Sequence, residues 1–432
     1  MELQMDEYGK YRMRLIAAYA IACIGFLIAI FALNIETEVI RDRYWKDVQP
    51  IFNGEIPIIE YPPFSLVFMI IPRLFGWTPE FYEVFYVIEV FVFMVIGLIY
   101  TDKLAIHFGK NRKNAMLAYS VLTVLLLEFV TDRFDIFPAV LTLMSVYYFV
   151  KSKYAWAFVL IAIGVMTKLY PAMLFPIYFL IFAAKKEWNE AFKGTVIFAA
   201  VILVIAVPIL IIEPDMIWNF LTYHSDRPLQ IESLAASLIY PLSMVGLITV
   251  KITSAMLPDG TLDPDNYGSD NLVGIVPDAV AGFLTPIMVV CVLAVCFFFL
   301  CVYLKAEDKD KMKLLALAVA GVIMTFILLG KVFSSQYLIW AISPVVFIML
   351  FEDDMFKSPL FKFTAAAFIM TQVEFVYNIG ILHGGSNIND FGMIIILVRN
   401  ILTVVMLYLM IRGMYDMIGK NVCPPETDDG QH

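Results

Sequence analysis

The chain has 432 residues, 61% of them hydrophobic and 16% charged, with a mean hydropathy of +0.82. A soluble domain is about half apolar and a quarter charged, so this composition excludes one and indicates an integral, polytopic membrane protein. The formal charge of −9 argues against a nucleic-acid partner, and the cysteines, three of them (Cys291, Cys296, Cys301) inside one apolar run, form neither a disulfide framework nor a metal-ligand spacing.

Apolar runs of spanning length must be helices, because lipid offers backbone groups no partner. Lys10, Arg12 and Arg14 precede a first span at about Met13–Leu33, which predicts a cytoplasmic N-terminus. No small-residue cleavage site follows, so this span is expected to be retained. Next comes NIETEVIRDRYWKDVQPIFNGEIPIIEYPP, Asn34 to Pro63, an external loop carrying Glu36, Glu38, Asp42, Asp47, Glu55 and Glu60 against Arg41, Arg43 and Lys46. PFSLVFMIIPRLFGWTP follows, short and broken by Pro72 and Pro79, and reads as an interfacial or partly re-entrant helix within a 34–79 external region.

Six further spans alternate regularly, with basic loops inside at DKLAIHFGKNRKN, KSK and KKEWNEAFK. The third is expected over Ala115–Val130. Residues 213–278 read as a second external or re-entrant region, because LPDGTLDPDNYGSDNLVGIVPD holds five acids and no base. Within it, Asp263–Asn271 matches a calcium loop at Asp263, Asp265 and Gly268 but not at Tyr267 or Gly274, and an ordinary acidic turn is the better reading. Five more spans bring the total to about twelve, in a single domain over 1–412 with both termini cytoplasmic and a tail at 413–432.

This topology collects the unusual polar motifs on one face: Asp42, Asp47 and Glu60; Asp132-Arg133-Phe134-Asp135; Lys168-Leu169-Tyr170; His224-Ser225-Asp226-Arg227; and Lys331 with Ser334-Ser335-Gln336-Tyr337. Such an inventory suits sugar transfer from a lipid phosphate. A hydroxyl nucleophile needs a carboxylate base within hydrogen-bond reach. A departing phosphate needs aimed cations, and Arg133, Lys168, His224, Arg227 and Lys331 sit at helix ends. The apolar walls would hold a polyprenyl tail. Plainer readings compete: solvated acids in the loop, a snorkelling Lys168 beside Tyr170, and headgroup contacts for His224 and Arg227.

In order, D-x-Y (Asp42, Tyr44), NGEIP, EYPPF, DRFDIFPAVL, GVMTKLYPAMLFP, YHSDRPLQIES and FSSQYLIW resemble GT-C glycosyltransferases, closest to the polyprenol-phosphate-mannose-dependent alpha-1,2-mannosyltransferase-like family. The resemblance runs from Asp42 to Trp340. It implies an all-α GT-C-type bundle and an inverting enzyme working on the outer side of the cell membrane. Such an enzyme moves a hexose, with mannose the family's lean, from a polyprenyl-phosphate donor to a hydroxyl of a lipid-linked glycan, glycolipid or cell-surface acceptor. By its D-x-Y context Asp42 corresponds best to the family's loop carboxylate, and Asp47 is the rival. Donor or phosphate binding is implied for Arg133, Lys168, His224 and Arg227, with Lys331 added from its position; Glu60, Tyr61, Asp132, Asp135, Tyr170, Gln336 and Tyr337 are expected to line the substrate site. Ile58 and Ile59 depart from the family loop, which often has Tyr and an acid after its G-x-P. No cofactor is expected, and a metal requirement is left open. The alternative is a transporter or lipid flippase working through Glu89, Glu374 and Lys251.

Overall fold

The computed structural model describes residues 6–33, 38–254, 269–378 and 389–419. The protein is an all-α polytopic membrane protein, and among the described residues seven helices are long and apolar enough to cross a bilayer. These are α1 (Glu7–Leu33), α4 (Pro79–His107), α10 (Trp188–Ile212), α13 (Ile275–Tyr303), α14 (Lys311–Leu329), α16 (Pro359–Asn378) and α17 (Asp390–Gly419). Shorter helices fill in around them: α2 (Trp45–Phe52), α3 (Ser65–Arg73), α5 (Arg112–Leu125), α6 (Leu127–Asp132), α7 (Ile136–Val150), α8 (Tyr154–Thr167), α9 (Leu174–Lys185), α11 (Pro214–Asp226), α12 (Leu234–Met244) and α15 (Ile339–Met349).

Helix length follows surroundings. Every residue of α15 is buried. That helix is apolar all round because protein, not lipid, covers it. The single span expected over Ala115–Val130 is instead two helices that break at Leu126. A break inside a membrane frees backbone groups that must find partners. Here Gln372 of α16 donates its side-chain amide to the Leu125 carbonyl at 3.0 Å.

Residues 38–79 fold as a short clasp. A π-helical turn, Glu38–Tyr44, runs directly into α2, and the Arg73 guanidinium at the end of α3 lies over the rings of Trp45 (4.7 Å) and Phe52 (4.5 Å). With nine residues, α3 is far too short to cross. In the second such region, α12 has 11 residues and so spans about 16 Å. It lies between the first two strands, in chain order, of a small antiparallel sheet that the sequence does not announce. Its strands β1 (Leu229–Gln230), β2 (Lys251–Thr253) and β3 (Asn271–Val273) are ordered β1-β3-β2. Most of Asp263–Asn271 lies outside the described residues, and α17 continues through the start of the expected tail to Gly419.

Exposed tryptophans mark two levels. Trp77 and Trp218 sit beside the start of α4 and the end of α10; Trp156 and Trp188 sit in the first turns of α8 and α10. Tryptophan prefers the membrane–water boundary on either side. The end near Trp156 and Trp188 carries the lysine-rich loops. There Asp102, almost wholly buried, accepts from Arg12 and Arg112 and ties α1, α4 and α5 together.

Candidate active site

The residues of interest gather at the other end, where α2, the Ile56–Phe64 segment, the α6–α7 turn, the α8–α9 turn, α11 and the α14–α15 turn meet. The EYPPF segment is pinned from both sides. Asn219 of α11 donates to the Ile59 carbonyl at 3.0 Å, and the Phe64 amide donates to the Met166 carbonyl at the end of α8 at 2.7 Å. Consecutive prolines, Pro62 and Pro63, need no donors satisfied here, and Ser65 closes the turn by donating to the Pro62 carbonyl.

Asp42 and Asp47 stand five positions apart on a continuous helical path, so they point roughly 140° away from each other. Tyr44 and Val48 form the buried face. Asp42 is half exposed and pairs with Lys46 at 2.8 Å. Asp47 turns the other way, toward Arg43 and Glu60, and among the described residues no hydrogen bond or ion pair holds it. Burial pushes its carboxyl up to about 7, with Arg43 pulling down and Glu60 adding to the rise. Glu60 itself is committed: Arg43 donates to it at 2.7 Å. Burial would raise its carboxyl, but Arg43, the Tyr223 and Tyr61 hydroxyls and Arg227 outweigh that and hold it below the ordinary carboxylate range.

Behind this wall lies an aromatic box around Lys168. Its ammonium is 2.7 Å from Asp135 and within 4.7 to 5.7 Å of the ring centres of Phe134, Tyr337, Trp340 and Tyr61. Cation–π attraction strengthens once water is removed, so the box holds a positive charge in a dry place. Asp135 is fully buried. Its Oδ1 also accepts from the Trp340 indole at 2.7 Å, while Oδ2 has no partner. Tyr170 and Tyr337 stack on the two sides of Trp340, each at 4.1 Å, and Tyr170 shares a hydrogen bond with Thr142. Asp132 takes Arg133 at 2.6 Å.

Arg227 closes the third side. It is buried, donates to Ser269 at 2.9 Å and lies 5.2 Å over the Tyr223 ring, yet its Nε has no partner. Among the described residues no carboxylate pairs with it, so it keeps donors to spare. The Lys331 carbonyl accepts from the Gln230 amide beside β1, and Gln336 is partly exposed on the turn before α15. His224 is in α11, but its side chain lies outside the described residues. Among the described residues no group of three or more His, Cys, Asp or Glu is placed to hold a metal.

Sequence reasoning missed one buried network next to this cluster. Arg399 of α17 is fully buried and contacts Glu232, Ser335, Asn400 and, at 3.7 Å, Glu374. An Arg-Asn pair inside a long apolar run was the available signal. Glu374 is therefore one member of a polar cluster, and Lys251 is an exposed residue of β2. Glu89, within α4, is buried with no partner for either oxygen.

The profile of Glycosyltransferase family 87 matches residues 59–330, more than half of the chain. The chain belongs to glycosyltransferase family 87. A search of curated proteins found no match. This membrane glycosyltransferase carries Glu60, Arg133, Asp135, Lys168 and Arg227 inside the matched stretch. Asp42, Arg43 and Asp47 precede it, and Ser335, Trp340, Glu374 and Arg399 follow it.

Proposed function

We propose that this glycosyltransferase takes a hexose, by resemblance mannose, from a polyprenyl-phosphate donor. The acceptor is a hydroxyl of a lipid-linked glycan, glycolipid or cell-surface molecule, reached at the outer face of the cell membrane. The reading rests on one observation above the others: Asp47 is an unpaired, largely buried carboxyl with a proton affinity near neutrality, next to Arg43 and Glu60. A general base works best when its affinity for the proton lies near the working pH.

Asp47 rather than Asp42 is the base in this scheme. It removes the proton from the acceptor hydroxyl as that oxygen bonds to the anomeric carbon and the bond from that carbon to the phosphate oxygen breaks. Attack from the face opposite the phosphate inverts the anomeric centre. The polyprenyl phosphate departs with the electron pair and meets Arg227, with Arg133 and Lys168 adding positive field. Placing this end outside agrees with the lysine-rich loops at the other end.

The test is incubation of purified protein with polyprenyl-phosphate-mannose or -glucose and a membrane lipid extract, followed by mass measurement of hexosylated products. A gain of one hexose, lost in Asp47→Asn and kept in Asp42→Asn, is expected. Full transfer by Asp47→Asn overturns the assignment of the base. Orientation is read by labelling single cysteines at Glu55 and Lys151: the first is expected to react from outside and the second not.

A further inference from the structure

The side-chain carboxylate of Glu232 is held near the cluster by one oxygen. Its Oε2 accepts from Ser335 at 2.8 Å and from Arg399 at 3.2 Å. Its backbone carbonyl accepts from Arg399 at 2.6 Å and from Asn400 at 3.1 Å, and Asn400 also donates to Ser237. The side chain remains 21% exposed, and among the described residues nothing bonds to Oε1.

Ser335 lies 2.8 Å from Glu232 and 2.9 Å from Glu374, and Arg399 Nη1 lies 3.2 Å from Glu232 and 3.7 Å from Glu374. The α17 guanidinium thus meets the Glu232 carboxylate and the α17 amide its backbone carbonyl, which fixes the residue and leaves Oε1 without a bond among the described residues.

What that oxygen faces follows from its neighbours. Ser335 opens the short turn that carries Tyr337 and runs into Trp340. The Tyr337 ring is 5.2 Å from the Lys168 ammonium, and its hydroxyl feels Arg227, Asp135, Glu60 and Glu232 together. A carboxylate held by one oxygen near that tyrosine has its second oxygen left to accept a sugar hydroxyl.

We propose that Glu232 binds hydroxyls of the donor hexose and sets which hexose is used, with Arg399 as the positioning residue that aims it. This rests on the transferase reading above. The hexose hydroxyls donate to Oε1, and an epimer that turns one hydroxyl away loses a charge-assisted bond. Such a bond is worth about tenfold to a hundredfold in discrimination.

The experiment measures donor KM, kcat and the preference between polyprenyl-phosphate-mannose and -glucose for wild type, Glu232→Gln, Glu232→Asp and Arg399→Lys, each checked for folding by thermal shift in detergent. Glu232→Gln keeps volume and neutralises the charge. It is expected to raise KM for the preferred donor about tenfold or more and to flatten the preference. Arg399→Lys is expected to flatten it in the same direction, and Glu232→Asp, which keeps the charge, to fall between. If Glu232→Gln does not fold, Glu232→Asp and Arg399→Lys carry the same readout. A wild type that transfers normally beside folded variants with unchanged KM and preference overturns the proposal alone. A wild type that neither binds nor transfers either donor overturns the transferase reading and this proposal with it.

Discussion

Replacing Asp47 by Asn should remove activity and strengthen the fold, and the two effects should separate by pH. The Asp47 carboxyl sits at about 7, raised chiefly by burial, against roughly 3.9 for an unfolded Asp. Between those values the folded protein binds a proton that the unfolded chain does not, so stability falls as pH rises through that window. The full interval corresponds to about 4 kcal/mol, and water reaching part of the side chain reduces it. Asn carries no charge at any pH. Asp47→Asn should therefore exceed wild type modestly in thermal shift at pH 5 and by more at pH 8.5. Its kcat should fall about a hundredfold to ten-thousandfold, or roughly 3–5 kcal/mol of barrier. In wild type, kcat/KM should fall below pH 7 as the base protonates, with that limb absent from the residual rate of the variant. Glu60→Gln should shift the limb to lower pH, since it removes a nearby negative charge and releases Arg43. A variant as active as wild type, or one less stable at pH 8.5, would refute the reasoning.

Other consequences are simpler. Asp42→Asn removes only an exposed pair with Lys46 and should change both stability and kcat/KM little, within about 0.5 kcal/mol by urea or thermal titration. Arg227→Ala should raise donor KM more than it lowers thermal stability, and Arg227→Lys should not restore it, because the planar fork is what a phosphate reads; equal KM in all three forms refutes a donor-binding role. Lys168→Met should cost about 3–5 kcal/mol in unfolding titrations by leaving Asp135 charged and buried, and Lys168→Met/Asp135→Leu should recover much of it. In Gly97→Ala the new methyl carbon would fall 1.9 Å from the Tyr119 hydroxyl oxygen, so a loss of about 1–3 kcal/mol is expected from forcing α4 and α5 apart.

The membrane-helical character, the helix too short to cross at Ser65–Arg73 and the gathering of polar residues at one end were legible because hydropathy and charge act locally. The different surroundings of the two aspartates were not. The D-x-Y context favours Asp42 as the base, but only packing places Asp42 against Lys46 and Asp47 toward Arg43 and Glu60. Tyr170 was read beside Lys168, yet it serves the Trp340 stack, and its neighbour in sequence reaches Asp135 instead. Arg133 does pair with Asp132, but Asp135 is left for Lys168 and Trp340. The link between Arg399 and Glu232 was invisible because the two lie 167 residues apart in sequence and no local pattern connects Glu232 to α17.

The three-stranded sheet has a practical bearing on how the enzyme can diversify. Thr253 and Asn271 sit opposite each other in the β2–β3 register, so the chain leaves and re-enters the sheet at one point. A hairpin closed in this way fixes its ends whatever lies between, and the entropy of a longer or shorter excursion changes only slowly with its length. Ser269 is the exception, because it receives Arg227. A change in the number of residues between the two strands should therefore cost little in closure entropy while the strand register is kept.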